Sequence, residues 1–425
     1  MTALPPDLVA DLFRHRYGRM VAGLCRVLGP GRLHLVEDVV QEAMLRALRR
    51  WPAEGVPEQP EAWVFRVARN LALDSLRRQK IAAKVDAELQ SWAGEAAVTD
   101  DPSNAAEPRI ADDTLRMLFL CSHPAVPIDA RVPLLLKTVC GFGVPAIARA
   151  LLQKDATIAQ RIVRAKTKLQ ADDVRFEVPG ATALPERLGL VLQVIYLVFN
   201  EGYRSHAGAD LVRPELVDEA IRLCALVLEL PDPSPQAHAL MALMLFLGAR
   251  SPARCDENGD LVPLAAQDRS RWNRVWIEHG FRAFRDSIGG STITAFHVEA
   301  AIASLHAAAP SYAATNWQRI LQEYDRLLAL LPSPVVRLNR AVAVGKVHGP
   351  HAGLLALAGL DDEAALDEYF LLGAVKAQLH WELGELPAAI AALERALTQP
   401  CTEPERRLLE RRLAACRRGD APAPW

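Results

Sequence analysis

The chain predicts an all-α architecture, and three observations carry that expectation. Hydrophobic residues make up 51% of its 425 residues and aromatics only 6%, a balance that favours packed helices over sheets. Apolar residues recur at i, i+3, i+4 and i+7 in one block after another. Gly-Pro and Pro-rich breaks separate those blocks at helix-like lengths. The breaks divide the chain into two small helical domains (residues 7–82 and 114–173), an acidic linker between them (83–113) and a long helical-repeat domain (180–425).

Leu8, Leu12, His15, Arg16 and Arg19 open a first helix, which ends near the Gly29-Pro30-Gly31 breaker. The second helix is Glu37–Trp51, with Val40, Ala43, Met44, Ala47, Leu48 and Trp51 as its apolar stripe. Acids lie at its start and arginines at its end, matching the helix dipole. Asp38, Gln41, Glu42 and Leu45 fall on a more exposed strip. After a Pro-rich connection from Pro52 to Pro60, the third helix runs Glu61–Lys80, with Val64, Val67, Ala68 and Leu71 toward the core. Its other side carries Trp63, Arg66 and Asn70, then Arg77, Arg78 and Lys80. An aromatic among cations suits stacking on unpaired bases along a phosphate track. The plainer reading places Trp63 in the core and the arginines on a soluble face, and the residues alone leave both open.

Between Val85 and Asp113 there are eight Asp/Glu against one Arg, with little periodicity, as in an extended linker. Two further apolar-periodic helices, LRMLFLCSHPAVP and ARVPLLLKTVC, lead into GFGVPAIARALLQKDATIAQRIVRAKTKL at Gly141–Leu169. That stretch reads as a helix-turn-helix. A short helix covers Val144–Leu152, Gln153 and Lys154 make the turn, Asp155 is placed to cap, and a second helix begins at Ala156. Ile158, Ile162, Ala165 and Leu169 face inward, leaving Thr157, Gln160, Arg161, Arg164 and Lys168 outward. Small and amide side chains near the N-terminus, followed by cations, are what a recognition helix needs to read base edges and grip phosphate. An ordinary helical hairpin with a solvated basic face is the alternative. The net charge of −2 conceals the local balance, because Arg149 to Lys168 holds six Lys/Arg against one acid.

The order of these blocks, VEDVVQEAMLRALRRW, PEAWVFRVARNLALDSLRR, a linker and a helix-turn-helix ending RIVRAKTKL, resembles a bacterial sigma factor of the extracytoplasmic-function type, over about residues 8–171. The resemblance implies that Asp38, Gln41, Glu42 and Leu45 dock on the β′ clamp helices of core RNA polymerase, with the β flap as a further contact of the family. It implies that Trp63, Arg66, Asn70, Arg77 and Arg78 read and melt the −10 element of promoter DNA. Thr157, Gln160, Arg161, Arg164 and Lys168 would read the −35 element. A linker of about 25 residues at roughly 3.3 Å each reaches on the order of 80 Å, enough for boxes about 17–23 base pairs apart at about 3.4 Å per step. The chain departs from the family pattern in having Ala146 where Glu is frequent before Ile-Ala, and Gly143-Val144 in place of a Ser/Thr start.

Residues 180–425 continue as helix after helix. Ala377, Gly384, Ala389, Leu393, Ala396 and Pro400 sit near tetratricopeptide (TPR) spacing, with small residues where two antiparallel helices approach. YLVFNEGY and SPVVRLNRAVAV resemble the group of these sigma factors that carries a C-terminal TPR-like domain. Such a domain would regulate by docking on the sigma domains or on a partner protein.

Asn200, Glu201, Tyr203 and His206 form a polar cluster that reads as a helix end with Glu201 paired to an arginine, or alternatively as a ligand site or interface. Cys121 and His123 lack further ligands at zinc spacing, HVE at His297–Glu299 is not HExxH, and CDENGD at Cys255–Asp260 reads as a surface turn. Seven scattered cysteines without a CxxC pair, no visible signal peptide and no apolar run of 18 residues point to a reduced cytoplasmic protein without a membrane span. The expectation is a non-enzymatic sigma factor with no cofactor and no metal. The alternatives are a conventional helix-turn-helix regulator with a TPR-like sensor and a helical-repeat interaction scaffold.

Overall fold

The computed structural model of the chain describes residues 16–78, 107–151, 153–172, 174–180, 182–203, 213–230, 232–290, 292–363, 366–367 and 369–422. Leu8, Leu12, His15, Lys80, most of the acidic stretch and His206 lie outside the described residues. Among the described residues every regular element is helical, apart from a single isolated bridge between Cys255 and Leu261. The chain divides into two compact units, Met1–Leu197 and Val198–Trp425.

In the first unit, α1 (Tyr17–Leu28) stops at Gly29, whose φ of +82° admits glycine readily. A short turn at Pro30–Arg32 leads into α2 (Leu33–Glu54), and α3 (Pro60–Arg78) starts on a proline that has no amide hydrogen to leave unpaired. Helix α2 starts ahead of Glu37 and runs past Trp51 through Pro52 before ending at Gly55. Val40, Ala43, Met44, Ala47 and Trp51 are buried as the stripe predicts, but Leu48 is 38% exposed. On α3 the buried line is Val64, Ala68, Ala72 and Leu76, so Val67 and Leu71 sit at its half-buried edge. Next come α4 (Glu107–Cys121), α5 (Ile128–Thr138), α6 (Val144–Ala150), α7 (Asp155–Ala171) and the start of α8 (Leu184–Tyr203). Because α4 begins at Glu107, the end of the acidic stretch is helix rather than linker. Asp113 lies within that helix, buried, and takes Arg26 of α1 at 3.2 Å and Arg116 at 2.9 Å.

The α1–α3 group and the α4–α7 group pack directly on one another. At Gly18 of α1 a Cβ would lie 1.9 Å from the carbonyl oxygen of Val139, so only glycine allows that approach. Glu37 of α2 and Lys166 of α7 form an ion pair at 2.7 Å, with side chains 4% and 6% exposed. The Nζ of Lys166 donates to Oε2 of Glu37, while Oε1 is buried with no hydrogen-bond partner. Arg187 at the start of α8 donates to the carbonyl of Phe119 at 2.6 Å, satisfying an orphan acceptor near the end of α4.

The second unit contains α9 (Pro214–Leu228), α10 (Pro235–Gly248), α11 (Arg274–Asp286), α12 (Ala295–Ala308), α13 (Trp317–Leu330), α14 (Pro334–His348), α15 (Pro350–Ala356), α16 (Phe370–Glu382), α17 (Leu386–Leu397) and α18 (Glu403–Arg418). Each helix buries its apolar face against the next, as a helical repeat does. Val298 and Ile302 of α12 meet Ile320 and Leu327 of α13 and Val344 of α14. Leu338 and Ala341 of α14 meet Leu372 and Val375 of α16. The predicted small-residue hairpin is α16–α17, turning at Gly384 (φ +76°) with Ala377, Ala389, Leu393 and Ala396 in one core. Leu409 and Leu413 of α18 close that core.

Two stability measurements check how the first unit is held together. Gly18→Ala forces its methyl group into the Val139 carbonyl and should cost about 1–3 kcal/mol or more, seen as a lower urea midpoint. Glu37→Ala strands a buried ammonium and should cost about 3–5 kcal/mol. Glu37→Met combined with Lys166→Met should recover most of that loss, and a double variant as unstable as the single one would show that the charges are not the issue.

Candidate nucleic-acid interface

Helix geometry places the α2 strip as the periodicity requires. Asp38 is exposed, Gln41 and Glu42 are half-buried, and Leu45 is 43% exposed. Glu42 accepts from Arg46 one turn on, at 2.8 Å. Leu48, expected in the core, instead joins Leu45 on the outside. The strip therefore mixes acids with two exposed leucines, a surface suited to a protein partner rather than to a phosphate backbone.

On α3, Trp63 is half-buried and meets Trp51 edge to face with ring centroids 5.6 Å apart. It is neither a full core residue nor a free platform: it packs on Trp51 of α2 and keeps part of its surface exposed. Arg66, Asn70 and Arg77 are exposed. Arg66 donates to the carbonyl of Ala62 at 3.3 Å, and Arg77 stands 4.0 Å from Asp74. Arg78 is the last residue of α3, and its side chain lies outside what is described.

Helix α6 starts at Val144 as the sequence places it but ends at Ala150, short of the expected Leu152, and α7 follows the turn from Asp155, one residue early. Gly143 precedes α6 in extended backbone, and Lys154 precedes α7 likewise. Asp155, expected as the cap, is instead the first helical residue, where its charge still favours the positive end of the helix. Ile158, Ile162, Ala165 and Leu169 are buried. On the outer side Gln160 is exposed, Thr157 half-buried, and Arg164 and Lys168 more than half exposed. Arg161 is drawn in to 26% exposure by Asp129 of α5, at 3.0 Å. Arg164 reaches both oxygens of the same carboxylate, at 3.0 and 3.1 Å. Asp129 thus aligns two of the outward arginines and partly neutralises them. Lys168 approaches Asp172 at 3.9 Å.

Three important residues, Glu37, Lys166 and Asp129, were not signalled by sequence pattern. Lys166 is one more cation on a basic helix until its partner, 129 positions away, is known. The only local hint is that it lies four residues after buried Ile162, at the edge of the inward stripe.

Several polar residues singled out elsewhere have structural partners. Cys121 is buried with its sulfur 3.2 Å from the hydroxyl of Thr138, and the Nδ1 of His123 accepts from the amide of Ala125. His297 caps α12 with Thr294, and Asp256 folds CDENGD into a turn by accepting from the amides of Asn258 and Asp260. Asp260 in turn pairs with Arg407 and Arg411 of α18. Glu201 and Tyr203 end α8, where Arg254 stacks 4.2 Å from the Tyr203 ring. Burial pushes the Glu201 carboxyl up to about 7, opposed by Arg213. Among the described residues no helix is long and apolar enough to cross a membrane.

Comparison with known proteins adds family evidence. Residues 13–81 match sigma-70 region 2, and residues 187–288 match a family of unknown function, DUF6596. The uncharacterized protein R00370 of Rhizobium meliloti (strain 1021) is 40% identical over 367 residues, covering 86% of each chain. The ECF RNA polymerase sigma factor SigW of Bacillus subtilis (strain 168) is 26% identical over 165 residues, 38% of this chain and 85% of SigW. The ECF RNA polymerase sigma factor SigL of Mycobacterium tuberculosis is 35% identical over 91 residues, 21% of this chain and 51% of SigL. No solved structure matches. The chain therefore belongs to the family of the Rhizobium meliloti protein, and its N-terminal part is similar to sigma-70 region 2 and to sigma factors of the extracytoplasmic-function type.

Proposed function

We propose that this protein is an alternative sigma factor that binds core RNA polymerase, recognises a two-part promoter and opens its −10 region, with its C-terminal helical repeats acting as a TPR-like regulatory domain. The observation that carries this reading is the sigma-70 region 2 match, which spans both the α2 strip and the basic face of α3. Asp38, Gln41, Glu42 and Leu45, with Leu48 beside them, form the polymerase contact. Trp63, Arg66, Asn70, Arg77 and Arg78 contact the −10 strand, with Trp63 offering its exposed part to an unstacked base. Thr157, Gln160 and Arg161 read −35 base edges, while Arg164 and Lys168 hold phosphate. The chain is not an enzyme in this reading, since the polymerase performs the catalysis.

The packing of the first unit adds a requirement. Boxes about 17–23 base pairs apart are separated by roughly 60–80 Å at about 3.4 Å per step. A unit in which Gly18 touches Val139 and Glu37 holds Lys166 keeps the two groups in contact rather than that far apart. Engagement of both boxes requires the α1–α3 and α4–α7 groups to part, and the residues between α3 and α4 then bridge the gap. The Glu37–Lys166 pair is one of the contacts that must break, with Arg26–Asp113 and the Gly18–Val139 approach, and its environment contributes to the cost of activation.

In vitro transcription with bacterial core polymerase, using the gene's own upstream DNA as one template, tests the whole reading. Full-length protein should give promoter-specific transcripts, and an Asp38→Ala/Glu42→Ala variant should lose at least about tenfold of them while keeping its fold. Tight duplex binding by the protein alone, with no polymerase association, would sink the proposal in favour of a conventional regulator. A second measurement addresses α7. Asp129→Ala releases Arg161 and Arg164 and should raise affinity for duplex DNA several-fold at low salt in a fluorescence-anisotropy titration. Unchanged affinity would remove α7 from the DNA surface.

A further inference from the structure

The second unit holds a cluster that the sigma-factor reading does not use. Arg250 follows α10, Arg269 and Trp272 lie in the segment before α11, and His306 is near the end of α12. The Arg269 guanidinium sits 4.4 Å from the Trp272 ring centroid, and the Arg250 guanidinium 5.5 Å from the same ring. Arg269 Nη1 donates to the carbonyls of His306 and Ala309, each at 2.7 Å, which fixes it against the end of α12. The His306 ring meets Trp317 edge to face at 5.4 Å. Four atoms of this cluster are buried with no hydrogen-bond partner: Arg250 Nε, Arg269 Nη2, Trp272 Nε1 and His306 Nδ1.

Buried polar atoms are nearly always satisfied, and leaving one unmade costs about 1–3 kcal/mol. Four in one cluster are not explained by packing alone. The charge balance points the same way. Neither arginine forms an ion pair among the described residues, and the charges acting on Arg269 are those of Arg250 and Arg274. Burial, with Arg250 and Arg269 acting in the same direction, holds the His306 imidazole neutral, lowering it to about 3. A neutral ring can present an N–H at Nδ1. Two guanidiniums, an indole N–H and an imidazole N–H with no carboxylate among them make a donor set that lacks its acceptor.

We propose that this cluster is a binding site for an oxyanion, a carboxylate or phosphate group of a small ligand, clamped by Arg250 and Arg269 with Trp272 Nε1 and His306 Nδ1 as further donors. Both arginines are half-buried, so part of each side chain reaches solvent beside the buried donor atoms. Trp272, 3% exposed, forms the rigid floor on which the two guanidiniums stack. Occupancy would tie the end of α10 to the end of α12, giving the C-terminal repeats a ligand-dependent rigidity.

The test is thermal unfolding of the full chain at constant ionic strength, replacing chloride stepwise with sodium phosphate in one series and sodium acetate in another. A saturable rise in the melting temperature is expected in at least one series. Phosphate alone points to phosphorylated ligands, and acetate alone to carboxylates. The Arg250 side chain makes no hydrogen bond among the described residues, so Arg250→Gln should fold and should weaken the effect at least about tenfold. Arg250→Lys, which keeps the charge and loses the fork, should be intermediate. Arg161→Gln/Arg164→Gln, in the first unit, should leave the effect intact. A tryptophan fluorescence change on titration that disappears in Trp272→Phe would place the anion at this indole. No saturable rise with either anion, or an equal rise in Arg250→Gln, would overturn the proposal.

Discussion

The Glu37–Lys166 ion pair is the constraint on which the first unit depends. It joins α2 to α7, the two helices that carry the proposed polymerase and −35 surfaces, and it does so where water is excluded. A buried pair of this kind contributes little net stability compared with an apolar substitute, but it penalises every arrangement that leaves one charge alone. It therefore selects one packing of the two helical groups. The close approach at Gly18 and the buried carboxylate of Asp113, which holds Arg26 of α1, reinforce the same arrangement from a second direction. Packing, surface layout and the requirement to open all follow from this one junction.

Much of the fold was legible because it is local. The stripe on α2, the inward residues of α7 and the Gly29 and Gly384 turns depend on residues a few positions apart. The errors were also local in origin. Leu48 fits the α2 stripe by spacing, but among the described residues nothing covers that side of the helix, and it is 38% exposed. Asp155 is a good capping residue, yet the helix begins on it rather than after it. The end of the acidic stretch looked like linker because its charge masks a helical register, and Asp113 is tolerated in the interior only because Arg26 and Arg116 meet it.

The candidate site was legible in its residue types and not in their pairing. The sequence shows that Arg161 and Arg164 share a face, but not that Asp129, on another helix, occupies both. Trp63 was ambiguous for a physical reason: whether it is buried or open depends on where Trp51 of the preceding helix lies. The arginines around Trp272 come from separate loops and could not be associated from spacing alone. Long-range charge pairing leaves no periodic trace, whereas burial does.

Asp129 has one more consequence. Its carboxylate occupies the place of a phosphate against two guanidiniums before any nucleic acid arrives. DNA that binds α7 therefore exchanges one anion for another at those two positions instead of neutralising bare cations. The number of counterions released on binding, and with it the steepness with which affinity falls as salt rises, should be smaller than a count of lysines and arginines on the helix suggests. A DNA reader built this way stays responsive to sequence over a wider range of ionic strength, because less of its binding free energy comes from charge alone.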